Sequence, residues 1–155
     1  MSTLTPEDVG LCRQMRATCA CDRLRRTARA ITQVYEAVVT PSGLKATQMP
    51  ILVGLGMAGE VPLTMLAAAL GLDRTTLTRN VKLLEDRGLV TSFAHGDDAR
   101  VRILSLTEEG SRTLSAALAE WEGVQDKVEA AFGEERLRAL LAELDALSAA
   151  IAVHT

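Results

Sequence analysis

The spacing of apolar residues divides the chain into helical and extended stretches. Ala20, Leu24, Ala28, Ile31, Tyr35 and Val38 recur at three- and four-residue intervals, which predicts one continuous helix over residues 7–40. Thr5 stands where an N-cap belongs, with Pro6 at the first helical position, and "TPSG" at 40–43 ends the run. A second helix is expected from about 45–47 to 57. Pro50 is tolerated in its first turn, where the amide has no intrahelical acceptor, and Gly54 and Gly56 mark close helix contacts. A short third helix covers about 63–70 and stops at Gly71; the "AGEVP" before it is turn chemistry. A fourth runs from about 74 to 87, with Asp73 as N-cap and Gly88 as terminator. The period then changes. "LVTSFAH" and "RVRILSL" are rich in β-formers and flank "GDDA", a hairpin with a polar tip. Thr107 caps the next helix, and Glu108 and Glu109 suit the positive end of its dipole. Two C-terminal helices follow, separated by Gly133. The first carries Leu114, Leu118, Trp121, Val124 and Val128, the second Leu137, Leu140, Leu141, Leu144, Leu147 and Ile151.

Composition agrees with this reading. The chain is 48% hydrophobic but only 3% aromatic, which favours a helical fold with a Leu/Ala/Val core over a β-sandwich. The fold class is mainly α with a small β-hairpin, a winged helix-turn-helix flanked by helices at both ends. Three regions are expected: an N-terminal dimerisation helix at 1–40, a winged helix-turn-helix domain at 41–106, and C-terminal dimerisation helices at 107–155. The terminal helices are too long and too apolar for one small winged domain, and the stripe from Leu137 to Ile151 suits helix–helix packing. A homodimer is therefore expected.

The net charge of −3 hides an asymmetry. Residues 1–40 hold six Arg and four acids, 41–107 seven Lys/Arg and six acids, and 108–155 four Lys/Arg and ten acids. The acidity thus gathers in the C-terminal third, as expected of a region facing away from nucleic acid. Residues 50–72 are long and apolar enough to suggest a membrane span, but the Gly59–Pro62 turn splits them. With no signal-peptide pattern near Met1, the protein is expected to be soluble and cytoplasmic, with no membrane partner.

The fourth helix carries the function. On a wheel of about 100° per residue, Leu77, Val81 and Leu84 share one face. Thr75, Arg79 and Lys82 lie opposite, Thr76 and Leu83 beside them, Thr78 on a flank, and Asn80 at the core border. Threonine is a mediocre helix former, so its clustering here needs another reason. A threonine hydroxyl can bond a phosphate or base edge, its methyl can meet thymine, and arginine can take guanine bidentately. In a helix-turn-helix the second helix enters the major groove N-terminal residues first. In the hairpin, Arg100 follows the tip and suits a narrow minor groove, with Asp98 placed to hold its guanidinium. The alternative for each element is a solvated face with capping threonines and a surface ion pair.

"GLKATQMPILVGL", "LGLDRTTLTRNVKLLEDRGLV" and "DDARVRILSLTEEG", with long flanking helices, resemble the MarR family of bacterial transcriptional regulators over nearly the whole chain. The resemblance implies an obligate homodimer on palindromic double-stranded DNA. It implies a repressor, less often an activator, released by a small phenolic or aromatic effector or by cysteine oxidation. Carried onto this sequence, the DNA contacts are Arg74, Thr75, Thr76, Thr78, Arg79 and Lys82, with the D-x-R wing pair Asp98 and Arg100. One departure concerns the wing: many relatives carry several basic residues at the tip, where "AHGDDAR" offers His95 and two acids. Family ligands sit between the winged domain and the dimer helices, a region that Met15, Cys19, Tyr35 and Met49 approach.

Cys12, Cys19 and Cys21 lie close in sequence. On one helix Cys12 and Cys19 share a face, while Cys21 points about 200° from Cys19, so C-x-C cannot chelate and no metal site is expected. The two histidines, His95 and His154, are remote in sequence. A thiol sensor at Cys12 and Cys19, near Arg16 and Arg23, is one alternative to ligand control. A winged-helix protein-interaction module is another. No catalytic triad, phosphate loop or cofactor motif is present, so neither an enzyme nor a resident cofactor is expected.

Overall fold

The computed structural model describes residues 4–39, 42–95 and 98–152; the side chains of residues 38, 39, 95 and 98–100 lie outside that description. Its elements, in chain order, are α1 (Pro6–Thr18), α2 (Ala20–Val39), α3 (Met49–Ala58), β1 (Val61–Pro62), α4 (Leu63–Ala69), α5 (Arg74–Glu85), β2 (Val90–His95), β3 (Asp98–Leu106), α6 (Glu108–Phe132) and α7 (Glu134–Ala152). The three strands form one antiparallel sheet in the order β1-β3-β2.

The expected single N-terminal helix is two. Thr5 and Asp8 close a capping box at the start of α1: the Thr5 amide donates to the Asp8 carboxylate at 2.8 Å, and the Asp8 amide donates to the Thr5 hydroxyl at 3.2 Å. The helix then ends at Cys19, whose ψ of 109° is extended. Arg23 reaches back across the break to the Ala17 carbonyl at 3.3 Å. Periodicity alone does not reveal such a break, because apolar spacing continues on both sides of it. Thr40 and Pro41, expected to end the run, lie outside the described residues.

The second correction is β1. Val61 pairs with Leu104 and Pro62 with Ile103, so "AGEVP" turns and then adds an edge strand. Proline has no amide to donate and sits in sheets only at such edges.

The core lies between the winged unit and the first half of α6. Ile51, Leu52 and Leu55 from α3 meet Leu63 and Leu66 from α4 and Leu77, Val81 and Leu84 from α5. Leu104 of β3 and Leu114 and Ala117 of α6 complete it. Gly54 and Gly56 permit close approach, as expected of glycines kept inside a helix that they weaken. A Cβ at Gly54 would lie 2.8 Å from Leu66 Cδ1, and one at Gly56 2.9 Å from Leu114 Cδ2.

Outside this core the helices are poorly covered within one protomer. α1 buries none of its residues. Leu11, Met15, Ile31, Val34, Leu141 and Ile151 are exposed, the last at 57%. α7 buries only Leu137. Among the described residues, no helix is long and apolar enough to cross a membrane.

Candidate nucleic-acid interface

α4 and α5 stand side by side, joined by the turn at Gly71. The turn ends at Asp73, which caps α5: its carboxylate accepts from the Thr76 amide at 2.8 Å and from the Thr76 hydroxyl at 2.6 Å. These Thr76 bonds hold the Asp73 carboxyl below its usual range. Asp73 is therefore committed as a cap.

Burial divides α5 as the wheel requires. Leu77, Val81 and Leu84 are fully buried, while Arg74, Thr75, Thr76, Arg79, Lys82 and Leu83 are exposed and Thr78 half-buried. Arg74, Thr75, Thr78, Arg79, Lys82, Leu83 and Asp86 line one shallow groove along the outer face. The threonines differ in how they are engaged. Thr78 donates its hydroxyl to the Arg74 carbonyl at 2.7 Å, and Thr76 donates to Asp73. Both therefore present oxygen lone pairs and methyls outward rather than a free proton. Asn80 donates to the Thr76 carbonyl at 2.9 Å and serves the helix. Among the described residues, the Arg74 and Arg79 guanidinium groups have no partner, whereas Lys82 pairs with Asp86 at 3.2 Å.

The wing rises from the far end of α5. The helix stops by a left-handed Gly88, φ 70°, with the Leu89 amide bonding back to the Leu84 carbonyl at 3.0 Å. β2 and β3 pair from Val90↔Leu106 onward, with an irregularity at Ala94/His95. Asp98 and Arg100 lie in β3, but their side chains, like the tip residues Gly96 and Asp97, are outside the described residues. What sequence reading missed is the anchoring of Arg102, a wing arginine two residues after Arg100. The Arg102 Nη2 donates to both Glu85 carboxylate oxygens, at 2.7 and 2.6 Å, and its Nε donates to Ser92 Oγ at 2.9 Å. Partial burial pushes the Glu85 carboxyl up, but the bonds from Arg102 and Ser92 and the charges of Arg102 and Lys82 outweigh it. The Glu85 carboxyl ends below its usual 4.5. Its sequence signal was thin: one arginine at an alternate strand position and one acid at a helix end.

Residues 42–101 match the sequence profile of the MarR family. The M. tuberculosis transcriptional regulator MosR, solved in complex with DNA, is 38% identical. The match covers 86% of this chain and 98% of MosR, with a TM-score of 0.76. The chain belongs to the MarR family. As a MarR-family protein it is a DNA-binding transcriptional regulator, not an enzyme. It is also similar to the transcriptional repressor CouR bound to a 23-mer DNA duplex, at 25% identity over 86% of this chain and 95% of that one, with a TM-score of 0.79. A Bacillus subtilis HTH-type transcriptional regulator, YhbI, is 29% identical over 110 residues, 68% of this chain and 71% of its own length.

The residues suggested for a MarR-family ligand separate into two places. Tyr35 and Met49 line one cavity of 270 Å³ with Ile31, Thr32, Ala46, Pro50 and Trp121. Tyr35 donates to Gln125 at 2.8 Å, and Gln125 donates to Glu129 at 2.9 Å. Burial and then the Glu129 charge push the Tyr35 hydroxyl pKa up. Met15 lies in a separate hollow with Arg16, Asp22 and Arg26, and Cys19 sits at the helix break. Trp121 and Pro50 were not legible as cavity walls, because only the packing of α2, α3 and α6 brings them together. The break also removes the premise that Cys12 and Cys19 share a face of one continuous helix. Cys12 and Cys21 are exposed in the protomer and Cys19 half-buried.

Proposed function

We propose that this chain is a homodimeric MarR-family repressor of a palindromic operator, relieved by a small aromatic or phenolic effector. The observation that carries the reading is the outer face of α5, where Arg74 and Arg79 stand exposed and, among the described residues, without partners, opposite a fully buried Leu77–Val81–Leu84 stripe. A rigid helix offering free guanidinium groups is what direct reading of guanine needs. Arg74, Thr75, Thr76, Thr78, Arg79 and Lys82 contact DNA in this reading, and Asp98 and Arg100 serve the wing. Thr76 and Thr78 meet the bases as acceptors or through their methyls, since their protons are engaged. MosR and CouR, both similar to this chain, were solved bound to DNA, which supports DNA binding here.

Residues 41–106 form the reading domain in this proposal, and 1–40 with 107–155 form the dimer. Supporting this division, large apolar residues lie exposed on α1, α2 and α7, and so many on the terminal helices call for a partner. The effector occupies the Tyr35–Met49–Trp121 cavity, whose size suits one aromatic ring or two. A cytoplasmic location follows from this function.

The deciding experiment is selection of bound duplexes from a random library, with mass measurement at micromolar concentration. Enrichment of an inverted repeat by a species of twice the chain mass is expected. A monomer, or no enriched sequence, overturns the proposal. Trp121 is the sole tryptophan, so its fluorescence reports directly on the effector cavity. Aromatic probes that leave it unchanged at millimolar concentration remove the effector part.

A further inference from the structure

The sheet register shows where the wing is held. β1 pairs with Ile103 and Leu104, and Leu104 is fully buried. Core and edge strand therefore fix the wing at its base. Arg102 is the next residue toward the tip. A two-stranded hairpin is only marginally stable alone, so the direction of the tip depends on whatever holds it beyond that base. Ser92 pairs with Leu104 and Ala94 with Arg102, which makes Ser92 and Arg102 diagonal neighbours on the face that Leu104 turns to the core.

Glu85 meets both of them from the last turn of α5. Its Oε1 also accepts the Ser92 hydroxyl, closing a ring of three side chains from three elements. Glu85 and Arg102 are about one-quarter and one-third exposed, at 24% and 35%, so the pair is screened less than a surface bridge. The charges acting on Glu85 come from Arg102 and Lys82. An acid in a DNA-reading lobe repels phosphate, and its presence there calls for a compensating role.

We propose that Glu85, Ser92 and Arg102 form a positioning clamp that fixes the angle of the wing to the recognition helix. The clamp presents wing tip and α5 to one duplex in a single register. Arg102 is a positioning residue here, not a phosphate contact, and Glu85 promotes DNA binding despite its charge. The inference rests on the DNA-reading role of α5 and the wing.

The two accounts predict opposite signs for one variant. Electrostatics alone has Glu85→Gln bind DNA more tightly, because a negative charge is lost near phosphate. The clamp has it bind about tenfold more weakly. Arg102→Lys separates the roles again. A phosphate-contacting cation survives that change, whereas the clamp loses the single guanidinium that spans both carboxylate oxygens and Ser92. Affinity is measured on a duplex selected by the wild-type protein, across salt concentrations, after melting curves confirm folding. Weaker binding by Glu85→Gln and by Arg102→Lys, with the double variant no worse than either single, supports the clamp. Tighter or unchanged binding by Glu85→Gln overturns it. So does wild-type affinity for Arg102→Lys beside a shallower salt slope for Arg102→Ala. If Glu85→Gln fails to fold, Ser92→Ala and Arg102→Lys carry the same decision. If the wild-type protein selects no duplex, the DNA-reading role itself has failed, and the clamp falls with it.

Discussion

Gly110 is the last residue of "LTEEG", and its replacement by alanine gives a prediction that the geometry nearly fixes. Thr107 caps α6: its hydroxyl accepts from the Gly110 amide at 2.9 Å and donates to the Gly88 carbonyl at 2.6 Å, and its amide donates to the Leu89 carbonyl at 3.1 Å. The first turn of α6 is thereby pressed onto the chain leaving α5. A Cβ on Gly110 would lie 1.9 Å from the Leu89 carbonyl oxygen and 2.9 Å from its carbon. Backbone, not a flexible side-chain end, must retreat. The retreat breaks or stretches the Thr107 bonds, each worth about 1 kcal/mol, in a region where Gly110 is buried. Alanine returns about 1 kcal/mol of helix propensity, leaving a net destabilisation of about 2 kcal/mol. Gly123 is the matched control on the same helix: exposed, with nothing within 4 Å of a Cβ. Gly123→Ala is expected to stabilise by about 0.5–1 kcal/mol. Urea denaturation of the three proteins at one concentration measures both. A Gly110→Ala protein as stable as wild type would refute the contact argument, and a destabilised Gly123→Ala would refute the propensity argument.

Arg79→Ala is expected to lose about 1–3 kcal/mol of discrimination between selected and random duplexes, while Arg100→Ala weakens both alike; competition binding on the two DNAs checks the split. Thr78→Val keeps a methyl and removes the hydroxyl bonded to the Arg74 carbonyl, so sequence preference persists if the methyl does the reading. A selection experiment that returns a different half-site contradicts that. Glu85 has a folded pKa below its usual 4.5, so its stabilisation is complete above the unfolded value and lost as pH falls through the folded one. The stability gap between wild type and Glu85→Gln should therefore shrink as pH drops from 7 to about 3, and a gap that widens contradicts the sign. Arg87 bonds the Gly43 carbonyl at 2.7 Å, tying the turn after α5 to the segment that leads to Ala46 and Met49. Arg87→Ala is expected to weaken effector-induced DNA release more than effector binding, read by Trp121 quenching beside DNA titration.

Local rules made much of the fold legible. Thr5, Asp73 and Thr107 cap where their side chains and the following turns require, and the apolar stripe of α5 is buried at each expected position. All the misses but the break at Cys19 share one physical cause, because each depends on a contact between segments distant in sequence. The pairing of Val61–Pro62 exists only once β3 lies beside it, and Pro62 reads as a turn until then. The break at Cys19 interrupts a pattern whose apolar period continues past it. In the candidate interface, side-chain direction followed from helical geometry. The partners of Arg102 did not, because Glu85 lies 17 residues away. The same holds for Trp121, which joins Tyr35 and Met49 through packing of three helices.

Net charge is a poor guide to this protein's electrostatics, and the reading lobe shows why. Residues 41–107 hold seven basic and six acidic residues, a balance that suggests little attraction to DNA. Pairing leaves that balance unchanged, since Arg102 and Lys82 are used along with Glu85 and Asp86, but it decides which charges stand unpaired and where. Asp73 is occupied by the amide and hydroxyl of Thr76, Glu85 by Arg102 and Ser92, and Asp86 by Lys82. Arg87 is spent on backbone carbonyls. Arg74 and Arg79 remain on the outer face of α5 without partners among the described residues. The acids of α5 and its caps are thus each paired or hydrogen-bonded, while Arg74 and Arg79, unpaired among the described residues, are exposed. At about 0.1 M salt, charges farther apart than a Debye length of about 10 Å are largely screened from one another, so the local arrangement, not the chain total, sets the attraction. The acidic C-terminal third can then keep the whole protein negative without cancelling the field at α5.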